Sequence, residues 1–152
     1  MKAEEGTVDL AKDYLHPREA VFAAWSREDA QKVWGDPGAG WRMSLDRFSF
    51  RVGESDICRF GPEDGPDYLN ENRYLAIEPG RRIVFATSLR SGDALTFAGT
   101  VMVTFEDMAG GTRMRLHEQG LYFDGLDDVD GHRAGWAGML DAIGDYLDGG
   151  GK

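Results

Sequence analysis

Hydrophobic and polar residues alternate along most of this chain and change to a helical period at its end. Over residues 131–147 (GHRAGWAGMLDAIGDYL), Trp136, Leu140, Ile143 and Leu147 fall on one stripe, Met139 and Tyr146 lie beside it, and Asp141, Asp145 and Asp148 lie opposite. At roughly 1.5 Å per residue this predicts an amphipathic helix about 25 Å long, enough to cross a small domain. A column of small residues, Gly135, Gly138 and Ala142, runs between the two faces, and glycine in a helix calls for a close-packed neighbour or a looser helix.

Upstream the period is two. Val8, Leu10 and Tyr14 alternate with Asp9, Ala11 and Asp13, which predicts a half-exposed strand over 7–14 that His16-Pro17 ends. Pro17 suits a first helical turn, and the spacing after it predicts a short helix over 17–25. Ser26-Arg27-Glu28-Asp29 has the form of a capping box, opening a second short helix that ends at Trp34. Six further strands are predicted, over 45–52, 56–60, 67–77, 82–89, 95–106 and 112–122. The segments between them, such as Pro62-Glu63-Asp64-Gly65-Pro66, Glu78-Pro79-Gly80 and Ser91-Gly92-Asp93, are turn formers. Short connections imply an antiparallel meander. The class is therefore α+β, a sheet of about six to seven strands with two short helices after the first strand and one long helix at the end.

Composition narrows the function classes. With 152 residues the chain is expected to form one domain over 1–152 with a real core. Acidic residues number 27 against 17 basic, a net charge of −10, and this field repels phosphate backbones and anionic lipid, so neither nucleic acid nor membrane is an expected partner. The single cysteine, Cys58, suits a reducing compartment, and the acidic start MKAEEGTVDL does not read as a secretory signal; a cytoplasmic location is expected.

Five motifs in order carry a family resemblance. They are residues 14–25 (YLHPREAVFAAW), Trp34-Gly35-Asp36-Pro37, residues 74–79 (YLAIEP) running into Arg82-Ile83-Val84-Phe85, residues 111–116 (GTRMRL), and residues 131–136 (GHRAGW). The chain resembles the bacterial homologues of the activator of the heat-shock-protein-90 ATPase, within the START-like or SRPBCC superfamily. That resemblance implies a helix-grip fold, in which a curved antiparallel sheet wraps around the long C-terminal helix and encloses a cavity. It leaves the activity open, because relatives bind a chaperone, carry small molecules or catalyse reactions. Two departures stand out: Val33-Trp34 replaces a pair of tryptophans, and residues 38–41 read as an insertion.

Candidate chemistry is sparse. Alternation places Glu118 on the same strand face as Met114 and Leu116; if that face is concave, the carboxylate is partly desolvated and suited to grip a ligand or move a proton. His132 opens the long helix on the side of Trp136 and Ile143, where an imidazole could bind the polar end of a ligand. Trp34, Tyr74, Phe97, Trp136 and Met139 are candidate pocket walls, and Arg59 is a candidate partner for Glu118 or for an anionic ligand. His117 is expected on the face opposite Glu118, and no grouping has metal-ligand spacing; neither metal nor cofactor is expected. No Gly-x-Ser-x-Gly or phosphate-cradling loop occurs.

The leading expectation is therefore a noncatalytic protein that binds a small hydrophobic or amphipathic molecule between sheet and helix, with Glu118 and His132 orienting its polar end. The alternatives are an enzyme of the cyclase, dehydratase or hydrolase kind using Glu118 or His132 as acid or base, and a chaperone-interacting protein. Pairing of two copies through a sheet edge is left open.

Overall fold

In a computed structural model that describes residues 2–151, the chain runs β1 (Ala3–Tyr14), α1 (Arg18–Ser26), α2 (Glu28–Trp34), β2 (Trp41–Arg47), β3 (Ser55–Pro62), β4 (Tyr68–Glu78), β5 (Arg82–Ser91), β6 (Ala94–Met108), β7 (Gly111–Phe123) and α3 (Val129–Asp148). All seven strands join one antiparallel sheet in the order β1-β7-β6-β5-β4-β3-β2, leaving β1 and β2 at the edges. From β2 to β7 each strand pairs with the next in sequence, as turn-length connections demand. Glycines with positive φ make the turns after β4, β5 and β6: Gly80 at 73°, Gly92 at 59° and Gly110 at 81°. The sheet curves around α3 in the helix-grip arrangement.

The amphipathic stripe of α3 meets this sheet as its spacing requires. Leu140, Ile143, Tyr146 and Leu147 are buried, and they pack with Tyr14, Val101, Val103, Met114 and Leu116 from the concave face. Each fully buried aliphatic side chain contributes about 1.5–3 kcal/mol, so this seam is the main apolar tie between helix and sheet. One hydrogen bond fixes its register: the Tyr14 hydroxyl donates to the Leu140 carbonyl at 2.8 Å. Of the small-residue column only Ala142 packs against the core. A side chain at Gly135 or Gly138 would meet nothing within 4 Å, whereas Gly144 sits against Tyr14 at 3.4 Å. Gly135 and Gly138 are thus the loose-helix case, and Gly144 the close-packed one.

Several boundaries differ from the sequence expectation. α3 begins at Val129, ahead of Gly131, because Asp128 caps it by accepting the Gly131 amide at 2.7 Å. Arg27, not Ser26, is the cap residue of α2, and no side chain caps that helix; the Arg27 guanidinium pairs with Asp29. β2 covers Trp41–Arg47, so residues 48–54 form a loop. There the buried Asp56 carboxylate accepts the amides of Ser49 at 2.6 Å and Phe50 at 3.2 Å and the Tyr74 hydroxyl at 2.7 Å. These bonds hold Phe50 at φ 47°, a left-handed conformation that bulky residues rarely adopt. The Phe50 ring is wedged between Phe22 of α1 and Tyr74 of β4, with centroids 5.8 and 4.9 Å away.

Candidate functional site

A charged network is buried where the first turn of α3 meets the middle of β7. On β7, Met114, Leu116 and Glu118 all face inward, and Glu118 is 3% exposed between Val8 of β1 and Val101 of β6. Both of its oxygens are partnered: His132 Nδ1 donates to Oε1 at 2.6 Å and Trp136 Nε1 donates to Oε2 at 2.9 Å. The other imidazole nitrogen of His132 donates to Asp127 Oδ2 at 2.5 Å. An imidazole whose two nitrogens both face carboxylates is a double donor, hence an imidazolium. Burial pushes its pKa down, but the hydrogen bonds and charges of Asp127 and Glu118 outweigh this and raise it from 6.5 to about 9.

Aromatic rings enclose this cation. Phe97 and Tyr122 lie 4.3 and 4.9 Å from the His132 ring, centroid to centroid, and 4.8 Å from each other. A cation against ring faces gains electrostatic attraction that grows as water is excluded. Three glycines in register across the sheet, Gly6, Gly120 and Gly99, make the space for these rings. A side chain on Gly99 would sit 2.8 Å from Phe97, and one on Gly6 2.6 Å from Tyr122.

The sequence candidates divide into three groups. Glu118, His132, Trp136 and Phe97 are brought together as one cluster. Trp34 and Tyr74 are buried elsewhere in the core: the Trp34 indole donates to the Ala24 carbonyl at 2.7 Å and braces α2 on α1, and Tyr74 belongs to the Asp56 anchor. A relay of rings connects Trp34 through Trp25 to Trp136, at 5.0 and 6.1 Å. Met139 is partly buried against the core. Arg59 corrects the expectation: strand alternation turns it to the outer face, where its Nε donates to Asp46 at 2.6 Å, far from Glu118 in the sheet order. His117 also faces outward, paired with Asp9 at 2.5 Å, as alternation requires.

Residues outside the initial reading complete the cluster. Asp127 lies ahead of the helix that the apolar spacing predicts from Gly131; the Asp127-Asp128 pair just before a helix is the signal that marks a capped start. Gly99 and Gly120 stand alone inside strand patterns, which marks close approach of other groups to the backbone.

The concave face is not covered evenly. Over β1, β6 and β7 it is sealed by α3 and α1 together, with Val8, Val101, Val103 and Met114 at 0% exposure. At one end of β3, β4 and β5 the inward residues Cys58, Phe60, Asn70, Asn72, Thr87 and Leu89 are only half-buried, whereas Asp56, Tyr74, Ile83 and Phe85 at the other end are buried. The Cys58 thiol there has its pKa raised to about 11, by burial and by the charge of Asp46. Two open hollows, of about 430 and 250 Å³, lie on the side of the sheet away from α3, around Met102, His117 and Arg115. Among the described residues no group of three or more His, Cys, Asp or Glu side chains is arranged to hold a metal ion, and no helix is long and apolar enough to cross a membrane.

A seven-stranded antiparallel sheet gripping one long C-terminal helix is the START-like fold. Within it, residues 15–148 match the family described as activator of Hsp90 ATPase homolog 1-like protein, and the chain belongs to that family. It is similar to a protein of Rhizobium loti (29% identity, TM-score 0.86, covering 95% of this chain and 99% of that one). It is equally similar to an uncharacterised protein of Rhizobium leguminosarum (29%, TM-score 0.87, 97% of each chain). An AHSA1-like protein of Aeromonas hydrophila shares the fold at 20% identity and TM-score 0.72, over 96% of this chain and 94% of that one. No functionally curated protein matches the chain.

Proposed function

We propose that this chain is a small-molecule-binding protein that takes a hydrophobic or amphipathic ligand on the concave face over β3, β4 and β5. One observation carries the reading: that part of the inner face stays half-accessible and mixes apolar side chains (Phe60, Leu89) with neutral polar ones, while the rest of the same face is closed by α1, α3 and Phe50. Ligand sites are concave and mostly apolar with a few polar groups, and this stretch has that make-up. Glu118, His132, Trp136 and Phe97 form the closed end of the site. Each nitrogen of His132 and each oxygen of Glu118 already has a protein partner, which favours a wall over an acid or base.

The test is a titration of the ¹⁵N-labelled protein with 2-ethylnaphthalene, a bicyclic apolar probe, alongside native mass spectrometry of the freshly purified chain. Saturable shifts grouped on inner-face residues of β3–β5, or an adduct that leaves on denaturation, support the reading. Shifts absent from those strands at the solubility limit of the probe, with a bare mass, overturn it.

A further inference from the structure

Three polar side chains stand in the middle of the half-accessible face, where an apolar ligand alone would leave them without a role. Asn72 pairs with Thr87 and Asn70 with Leu89 across β4 and β5; the next pair on the same face is Tyr74 with Phe85, both buried. Alternation therefore puts Asn70, Asn72 and Thr87 on the concave side. The Asn70 amide nitrogen donates to the Ser88 carbonyl at 3.2 Å and lies 3.1 Å from both Thr87 Oγ1 and Asn72 Oδ1. A carbonyl only accepts, so Ser88 fixes which end of the Asn70 amide faces it. The Asn72 N–H groups, the Thr87 hydroxyl hydrogen and Asn70 Oδ1 are left without a partner among the described residues.

The carboxylate beside this cluster has both oxygens occupied by neutral donors. Asp56, beside Asn72 in the ladder, is held by Ser49, Phe50 and Tyr74, while Arg59 and Arg73 are exposed on the outer face. An anion would find no counter-charge here, and a cation no free carboxylate. Two kinds of donor and one acceptor on an uncharged floor match an oxygen that accepts two hydrogen bonds, or a hydroxyl that also donates one.

We propose that Asn70, Asn72 and Thr87 form a polar subsite that recognises an uncharged oxygen group, a carbonyl or hydroxyl, on an otherwise apolar ligand. This rests on the ligand-binding reading above and assigns the polar contact to the amides rather than to Glu118 and His132.

Three probes of one shape test it: 2-acetylnaphthalene, 2-ethylnaphthalene and 2-naphthoate, titrated by calorimetry and ¹⁵N spectra. The wild type should bind the acetyl probe about tenfold more tightly than the ethyl probe, the worth of one net hydrogen bond, and the carboxylate most weakly. Side-chain amide signals of Asn70 and Asn72 should move with the acetyl probe and stay still with the ethyl probe. In Asn72→Leu the acetyl preference should fall to about twofold or less; should that variant fail to fold, the isosteric Thr87→Val carries the same expectation. Ethyl and acetyl probes bound equally by the wild type, or a preference that survives both substitutions, overturn the subsite and leave the ligand-binding reading standing. No binding of any probe overturns both.

Discussion

His132 Nδ1 stands 2.6 Å from Glu118 Oε1, so a residue in the first turn of α3 is tied by charge to the centre of β7. With Asp127 on its other nitrogen, His132 joins two carboxylates that would repel each other without it. A buried ion network of this kind stabilises far less than the loss of one member costs.

Removing Glu118 therefore leaves a buried imidazolium with one partner, and Trp136 Nε1 with none. Glu118→Leu is expected to lower unfolding free energy in urea by about 3–5 kcal/mol. Replacing both ends, as Glu118→Leu with His132→Phe, should cost clearly less than the sum of the single changes. Additive effects in that double-mutant cycle would mean the pair is not coupled.

The pH dependence follows from the raised pKa of His132. A group whose folded-state pKa is lifted from 6.5 to about 9 contributes stability that is complete below about pH 6.5 and is lost as pH rises through about 9. The melting temperature of the wild type, minus that of His132→Phe, should shrink steadily between pH 6.5 and 9.5. A flat difference over that interval would sink the assignment of a charged His132.

Two glycine substitutions should act in opposite directions. Gly120→Ala places a methyl group against the Ala98 carbonyl oxygen and 2.8 Å from both the Gly99 Cα and the Phe97 ring, and a cost of about 3 kcal/mol is expected from overpacking against backbone. Gly138→Ala meets open space inside a helix and should stabilise by about 0.5–1 kcal/mol. Thermal denaturation of the two variants separates a packed glycine from a merely flexible one.

Asp56 anchors the residue 48–54 loop, so Asp56→Ala removes acceptors from the Ser49 and Phe50 amides and from the Tyr74 hydroxyl at once. About 2–3 kcal/mol of destabilisation is expected, against about 1 kcal/mol for Tyr74→Phe, which loses one of these bonds. Hydrogen exchange should show the Phe50 amide unprotected in the first variant and still protected in the second.

Much of this arrangement was legible in the sequence because it rests on period. The α3 stripe, the inward run Met114–Leu116–Glu118 and the outward His117 follow from geometry that repeats every two or 3.6 residues. What depends on contacts across the fold was not legible. Arg59 reads as a candidate partner for Glu118 because a lone arginine among aromatics does not reveal its strand's phase; alternation with the inward Asp56, Cys58 and Phe60 turns it outward to Asp46. Asp127 is only five residues from His132, but its role appears once Asp128 caps the helix and turns the loop back. The amide cluster needs the β4–β5 register, which no local pattern encodes.

The line of Gly6, Gly120 and Gly99 has a mechanical consequence. A sheet stripped of side chains along one line across its strands resists bending least at that line. Beyond it lie residues 3–5, 94–98 and 121–123, the strand ends that carry Phe97 and Tyr122 against His132. Bending along that line is opposed by the burial of Phe97 and Tyr122 against the His132 ring and by the β5–β6 rungs at residues 94–97.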